Sequence, residues 1–407
     1  MKFRSKLNWI FIFLMAGTTS ITAQNADAIS SSGNLVLHQE PQEIGLSTAK
    51  LSAIDSVVHS AIQDSVFPGA VVAVVKNGVL AYNKAFGYQD YQKKITVQAS
   101  DVFDLASITK VAATTISAMK LFDEGKLSLE EPVSKYIPEF ENAEKSKIRI
   151  RDLLLHQSGL PAFRMYVDSL KTRAEIVQAI KNEPLIYEPA SKYIYSDLGM
   201  ILLGEIVHHI SGLPLDKYAR KQFYLPLGMY STLFNPSDSS LSFINRIAPT
   251  EIDTVFGRGL VHAKVHDERA YFMDGVAGHA GLFSSAENLA IFCTMLLNNG
   301  SFGGIEFLKP ETVRLFTGMQ SEFSGRGLGF DRKSSNGFST AGSLASMDSF
   351  GHLGFTGTSF WIDREKNMAV ILLTNRTFPY RSYGKNISRI RAAVADAAYS
   401  AAITPEK

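Results

Sequence analysis

Ser107-Ile108-Thr109-Lys110 is the stretch on which the reading of this chain turns. A serine and a lysine three apart on a helix share one face, about a turn apart. There the amine can take the hydroxyl proton, so a Ser–Lys pair makes a nucleophile without histidine. The spacing alone is cheap. It recurs at Ser47/Lys50, Ser117/Lys120 and Ser382/Lys385, and context has to choose. Ser47 is placed to cap a helix from Ser47 to about Ser65, striped by Leu51, Ile54, Val58 and Ile62, with Lys50 in its exposed first turn. Ser117/Lys120 falls inside the helix expected from Ser107 to Glu124, and Ser382 reads as a cap before the last helix. Ser107 differs by opening a helix. Free N–H groups and the helix dipole favour negative charge there, as a developing oxyanion requires.

Outward from that point, the pattern is of strands at both ends and helices between. Ala70 to Val75 and Val79 to Tyr82 bracket Asn77-Gly78, a strong hairpin signal. Phe360 to Asp363 and Met368 to Leu373 bracket Arg364 to Asn367, a second hairpin, and 384–400 reads as an amphipathic helix. The expected architecture is one antiparallel sheet built from both ends of the domain, flanked by helices, with an inserted, largely helical lobe over about 120–300. A cleft between the lobes is the default place for a site.

The chain has 407 residues, 45% hydrophobic and 20% charged, within the ordinary globular range. Lys2, Arg4 and Lys6 precede an apolar run from Trp9 to Ala16, and small residues follow. This reads as a signal peptide over 1–23, with Ala28 an alternative cleavage point. The run is too short for a comfortable membrane span. Residues 24–45 read as a flexible leader, and 46–400 as one domain. Removing 1–23 takes the net charge from +2 to −1, which gives no electrostatic case for nucleic acid. The expectation is an exported protein, secreted or periplasmic. Cys293, the only cysteine, lies in an apolar helical stretch and reads as a buried structural thiol.

Two further segments carry chemistry. Tyr195-Ser196-Asp197 precedes the apolar helix Met200 to Ile210. Beside a lysine, a tyrosine hydroxyl can give up its proton and act as base. The structural alternative is a packed tyrosine with Asp197 as N-cap. Gly351-His352-Leu353-Gly354-Phe355-Thr356-Gly357-Thr358 leads into the last hairpin, and its glycines predict close approach of backbone to a ligand, or a simple turn. His262 and His266, four apart with Asp267 adjacent, have a spacing a helix could use for zinc, but a hydrogen-bonded role fits better without H-E-x-x-H. His156 is expected to shape a turn, and His279 could approach the cleft. Gly325, Gly327 and Gly329 read as a flexible loop. There is no G-x-S-x-G elbow and no phosphate-cradling G-x-x-x-x-G-K.

These three segments, in this order and spacing, resemble the S-x-x-K, Y-x-N and K-T-G or H-x-G motifs of the penicillin-recognising serine hydrolases. The branch they resemble holds class C β-lactamases, DD-carboxypeptidases, D-aminopeptidases and esterases. Leu153 to Pro161 is similar to that family's LLxHxSGLP run, and Pro226-Leu227-Gly228-Met229 to its PLGM turn. Val261-His262 to Asp267 and Gly275 to Ser284 resemble bacterial members like penicillin-binding protein 4B.

The resemblance covers roughly 45–400 and implies a β-lactamase/transpeptidase-like α/β (α+β) fold. It implies Ser107 as acylated nucleophile, Lys110 as its aid, Tyr195 as base, and the Ser107 and Phe355 N–H groups as oxyanion hole. Asp197, His352 and Gly354 would line the substrate pocket, and the family needs no metal or cofactor. The implied partner is a small-molecule or peptide substrate, with cell-wall peptides in the lead. Two departures matter. Asp197 stands where many members have Asn, and an ionised aspartate cannot donate a hydrogen bond. It is placed to pair with Lys110 and leave Tyr195 as main base. His352-Leu353 replaces Lys-Thr, which weakens the case for anionic β-lactams. The expectation is a DD-carboxypeptidase-like peptidase, with a promiscuous esterase, a weak β-lactamase or a non-catalytic binding domain as alternatives.

Overall fold

The computed structural model describes residues 36–37, 40–166, 169–238, 244–382 and 384–403. The stretch 1–23 expected to be a signal peptide, and most of the expected leader, lie outside the described residues. Seven strands form the main sheet: β1 Val36–Leu37, β2 Gly69–Lys76, β3 Val79–Gly87, β4 Asp331–Arg332, β5 Phe350–Leu353, β6 Ser359–Asp363 and β7 Met368–Thr374. Their order across the sheet is β1-β3-β2-β7-β6-β5-β4. Every pairing is antiparallel except β1 with β3, where Val36 faces Val79. The segment expected to be a leader with little structure thus supplies an edge strand, then a 3-10 turn over Pro41–Ile44.

The sheet forms where two local signals meet a long-range one. Asn77 and Gly78 both take positive φ (53° and 77°), as a two-residue hairpin with native twist requires. In β2 and β7 alternate residues enter opposite cores. Val71, Ala73, Val75, Ala369, Ile371 and Leu373 face one. Ala70, Val72, Val74, Met368, Val370 and Leu372 face the other. Each fully buried Val or Leu contributes roughly 1.5–3 kcal/mol, so a sheet apolar on both faces needs two helical layers. Helices Ala53–Gln63 and Ile387–Ser400 cover one face, and Ala286–Leu297 covers the other. Cys293 is fully buried in that last helix.

The middle of the chain is less helical than expected. It holds a three-stranded sheet of Val102–Asp104, Leu282–Ser285 and Leu233–Phe234, and a ribbon of Glu251–Asp253 with Gly259–Val261. These strands are two to four residues long, too short for period-two alternation to show in sequence. The first of them delivers Ser107.

Several local expectations are corrected. Ser47 caps a helix as expected, accepting from the Lys50 N–H at 3.4 Å, but the helix breaks at Ser52 and restarts. The single helix expected over 107–124 is three winds in series: a 3-10 turn over Ala106–Ile108, a π-helix over Lys110–Thr115 and an α-helix over Ile116–Asp123. The last helix starts after Asn386, not at a Ser382 cap. The Gly325–Gly329 loop is tightly packed: a Cβ on Gly329, at φ +81°, would lie 2.2 Å from Thr115 Oγ1. Gly329 packs under the π-helix and Gly327 against the Phe316 carbonyl, while Gly325 has open space around it.

Candidate active site

Ser107 sits at the end of strand Val102–Asp104, just past a residue in strained backbone. Ala106 has φ 47°, the left-handed region that a residue with Cβ seldom enters. Asp104 holds that turn: Oδ1 accepts from the Ala106 N–H at 2.8 Å and Oδ2 from the His266 N–H at 2.7 Å. Full burial pushes the Asp104 carboxyl up, against the pull of those two bonds. Ser107 therefore lies in the first turn of its helix, where N–H groups have no carbonyl a turn earlier.

Lys110 is completely buried, and its three N–H donors are all directed. Nζ lies 2.9 Å from Ser107 Oγ, 2.8 Å from Asp197 Oδ1 and 3.3 Å from the His279 carbonyl oxygen. Burial alone would lower the Lys110 ammonium, but Asp197 and Tyr195 outweigh it and hold the group above its ordinary value. An ammonium whose hydrogens are all committed cannot take a proton from Ser107. The pairing of Asp197 with Lys110, expected from the sequence, is present.

The second segment reaches this centre through a different cap than one expectation had it. Ser196, not Asp197, is the N-cap of helix Asp197–Ser211, accepting from the Gly199 N–H at 3.3 Å. Asp197 is left free to turn toward Lys110 and Arg269, whose Nη2 is 2.6 Å from Oδ2. Burial would raise the Asp197 carboxyl, but the two cations drive it far below the usual carboxylate range. Tyr195 lies between two imidazoles: its ring centroid is 4.5 Å from that of His156 and 6.2 Å from that of His352. Lys110 Nζ is 4.9 Å and Arg326 Cζ 5.7 Å from the same ring. Burial, then the Arg326 and Lys110 charges, push both imidazoles well down, so they are neutral. His156 does shape a turn, taking the Ser196 N–H on Nδ1 at 3.1 Å.

The third segment packs onto the first. A Cβ on Gly354 would lie 2.4 Å from the Leu105 carbonyl oxygen, so the close approach is to the protein's own backbone rather than to a ligand. The Thr356 and Thr358 hydroxyls donate to the Asp104 and Leu105 carbonyls at 2.7 and 3.2 Å. This seats the turn that carries Phe355 on the residues just before Ser107. The Phe355 N–H meets no carbonyl among the described residues, and its ring is half-exposed. His352 turns inward, its Nδ1 2.9 Å from the Leu353 carbonyl oxygen. The motif therefore offers the cleft no cation.

Several residues that complete the site were not singled out in the sequence. Arg391, buried in the last helix, donates to the carbonyls of Gly354 (2.6 Å), Thr358 (2.9 Å) and Gly357 (3.3 Å). Arg269 bridges Asp197 to Asp267, 3.0 Å away, and Asp267 Oδ1 lies 2.8 Å from His279 Nε2. His279 does approach the site. Arg326 pairs with Asp331 over the Tyr195 ring. The one hint was that Arg269 lies two residues past the matched run ending at Asp267. Asp197, Asp267 and His279 present ligand atoms within 4.8 Å of one another, but Lys110 and Arg269 already sit among them. His262 and His266 diverge: Nε2 of one is 2.8 Å from the Ile247 carbonyl oxygen, and that of the other 3.0 Å from Glu251 Oε2.

The sequence matches the family model described as Beta-lactamase over residues 54–395. A protein of Escherichia coli (strain K12) with the provisional name D-alanyl-D-alanine carboxypeptidase is 32% identical, covering 91% of this chain and 91% of its own. The N-acetylmuramyl-L-alanine amidase of Bacillus subtilis (strain 168) is 34% identical over 96% of this chain and 100% of its own. Among solved structures, EstCE1, a hydrolase with promiscuous acyltransferase activity, superposes with TM-score 0.70 at 23% identity, covering 86% of this chain and 99% of that one. A penicillin-binding protein homologue from Caulobacter crescentus gives 0.69 at 20% identity, covering 88% and 99%. At these identities the two structures speak for the fold.

Proposed function

Because the chain belongs to the beta-lactamase family, we propose that it is an exported serine hydrolase that forms an acyl-enzyme on Ser107. The leading substrate class is peptidoglycan-derived peptide, cleaved in the manner of a DD-carboxypeptidase. One observation carries the reading: Lys110 Nζ reaches Ser107 Oγ while spending its other hydrogens on Asp197 and His279. Tyr195, its phenol proton first given up to solvent beside the Lys110 ammonium, then takes the Ser107 proton, and Oγ attacks the substrate carbonyl. The Ser107 and Phe355 N–H groups receive the oxyanion. Tyr195 returns the proton to the leaving amine, and later draws one from the water that hydrolyses the acyl group. The names of the two bacterial relatives support a cell-wall amide as substrate.

A second reading, a carboxylesterase, is favoured by the neutral His352 and apolar Leu353, which give no anchor for a substrate carboxylate. Fluorophosphonate or fluorescent penicillin trapping with mass spectrometry tests the nucleophile. Label on another residue sinks it, and no label favours a non-catalytic binding domain. Nitrocefin, a D-Ala-D-Ala peptide and p-nitrophenyl acetate, compared on one preparation, test the substrate. Turnover of the ester alone removes the peptidoglycan reading. Export rests on the basic start and apolar run of residues 1–23. Cell fractionation with N-terminal sequencing tests it, and a protein kept in the cytoplasm with Met1 intact overturns it.

A further inference from the structure

We propose that Arg269 is a positioning residue whose charge is matched to Asp197, so that the two together act beside Lys110 as one neutral unit. The proposal rests on Ser107 being the nucleophile. Four charged groups and one imidazole close a ring. Lys110 Nζ meets Asp197 Oδ1 at 2.8 Å, and Asp197 Oδ2 meets Arg269 Nη2 at 2.6 Å. The same Nη2 meets Asp267 Oδ2 at 3.0 Å, Asp267 Oδ1 meets His279 Nε2 at 2.8 Å, and the His279 carbonyl returns to Lys110 at 3.3 Å. One ammonium and one guanidinium face two carboxylates, and leaving the imidazole aside their charges sum to zero. The ring is largely buried: the side chains of Lys110, His279 and Arg269 are 1%, 2% and 10% exposed, and those of Asp197 and Asp267 18% and 23%.

At such exposure an unmatched charge is costly, because neighbouring water cannot screen it. A carboxylate here without Arg269 would over-neutralise Lys110, and Arg269 without the carboxylate would repel it. The charged and titratable groups facing Asp197 come from three elements: Lys110 from the nucleophile helix, Asp267 and Arg269 from the segment around helix Glu268–Phe272, and His279 from the following loop. Tyr195 stands beyond Lys110. The aspartate of Tyr195-Ser196-Asp197 and the arginine 72 residues later therefore form one functional unit.

A double-mutant cycle tests this, using p-nitrophenyl acetate turnover, after fluorophosphonate labelling of Ser107 in the unmodified protein. Asp197→Asn leaves two cations with one carboxylate, and Arg269→Gln leaves two carboxylates with one cation. Each should lower kcat/KM by about a hundredfold, and the charge-balanced double variant should recover at least about tenfold over Asp197→Asn. The pH–rate profile should move to lower pH in Asp197→Asn, to higher pH in Arg269→Gln, and back in the double variant. A merely structural role would not move it in opposite directions. Losses that simply multiply, or profiles that stay put, overturn the proposal. Should Arg269→Gln not fold, Arg269→Lys replaces it. An unmoved profile with a lower kcat supports the proposal, and a displaced profile overturns it. If Ser107 does not label in the unmodified protein, the functional reading falls. If it labels and the cycle is additive, only the matching of Arg269 to Asp197 falls.

Discussion

Lys110 Nζ and Asp197 Oδ1 are 2.8 Å apart in a pocket that leaves the lysine no solvent contact. With its other hydrogens on Ser107 and His279, Lys110 is a donor, and the base must be sought elsewhere. Tyr195→Phe should lower kcat about a thousandfold while leaving the urea midpoint near that of the unmodified protein. Lys110→Met should lower both, because it leaves two carboxylates, Asp197 and Asp267, sharing Arg269 as their cation. Steady-state kinetics and urea denaturation separate the two, and a Tyr195→Phe enzyme retaining a tenth of the rate would end its assignment as base.

Arg391 fastens the Gly354–Thr358 turn by three carbonyls. Arg391→Met leaves those carbonyls buried without a donor, so it should cost roughly 2–4 kcal/mol in urea unfolding. Because that turn aims the Phe355 N–H, kcat should fall more than KM rises. A variant that loses stability but keeps kcat would detach the turn from catalysis.

Gly329 combines positive φ with a Cβ position 2.2 Å from Thr115 Oγ1. Gly329→Ala should destabilise by about 2–3 kcal/mol. Adding Thr115→Ala should recover part of that, since the hydroxyl is the nearest obstacle. The strain of φ +81° would remain. Thermal unfolding of the two variants measures the difference, and no recovery would place the whole cost in the backbone.

Glu251 sets a pH limit on stability. Burial would raise its carboxyl, but hydrogen bonds from His266 and Arg381 bring it down from 4.5 to about 2. A carboxylate depressed in the folded state stabilises fully above its unfolded value, and the effect fades as pH falls through the folded one. Glu251→Gln should therefore cost roughly 3 kcal/mol at neutral pH and almost nothing near pH 2. Urea midpoints across that window check it, and a cost independent of pH would assign the loss to packing.

The legible parts were those written in neighbouring residues. Asn77-Gly78 states its hairpin locally, and Ser47 states its cap. Ser107, Tyr195 and His352 could be ordered only because their spacing matched a family pattern. The missed parts are relations across the chain. Arg269 reaches back 72 residues to Asp197, and Arg391 reaches 37 to Gly354. Nothing near either arginine marks it. The choice between Ser196 and Asp197 as cap was also hidden, since both side chains suit that position. Ser196 is fixed there by donating to the Pro161 carbonyl at 2.6 Å, while two cations claim Asp197. The π-winding of Lys110–Thr115 is likewise invisible in residues that would serve equally in an α-helix.

Strand β2 is paired with β7, so Val72 faces Leu372, 300 residues later. During synthesis the Gly69–Gly87 hairpin leaves the ribosome long before its central partner exists. At roughly 5–20 residues per second it waits on the order of tens of seconds, with apolar side chains on both faces and one unpaired edge. The Gly354–Thr358 turn that packs against Leu105 is fastened later still, once Arg391 is made and reaches its carbonyls. Until then the turn that carries Phe355, the proposed oxyanion donor, lacks its fastening, so the proposed site is expected to assemble only after residue 391 is made.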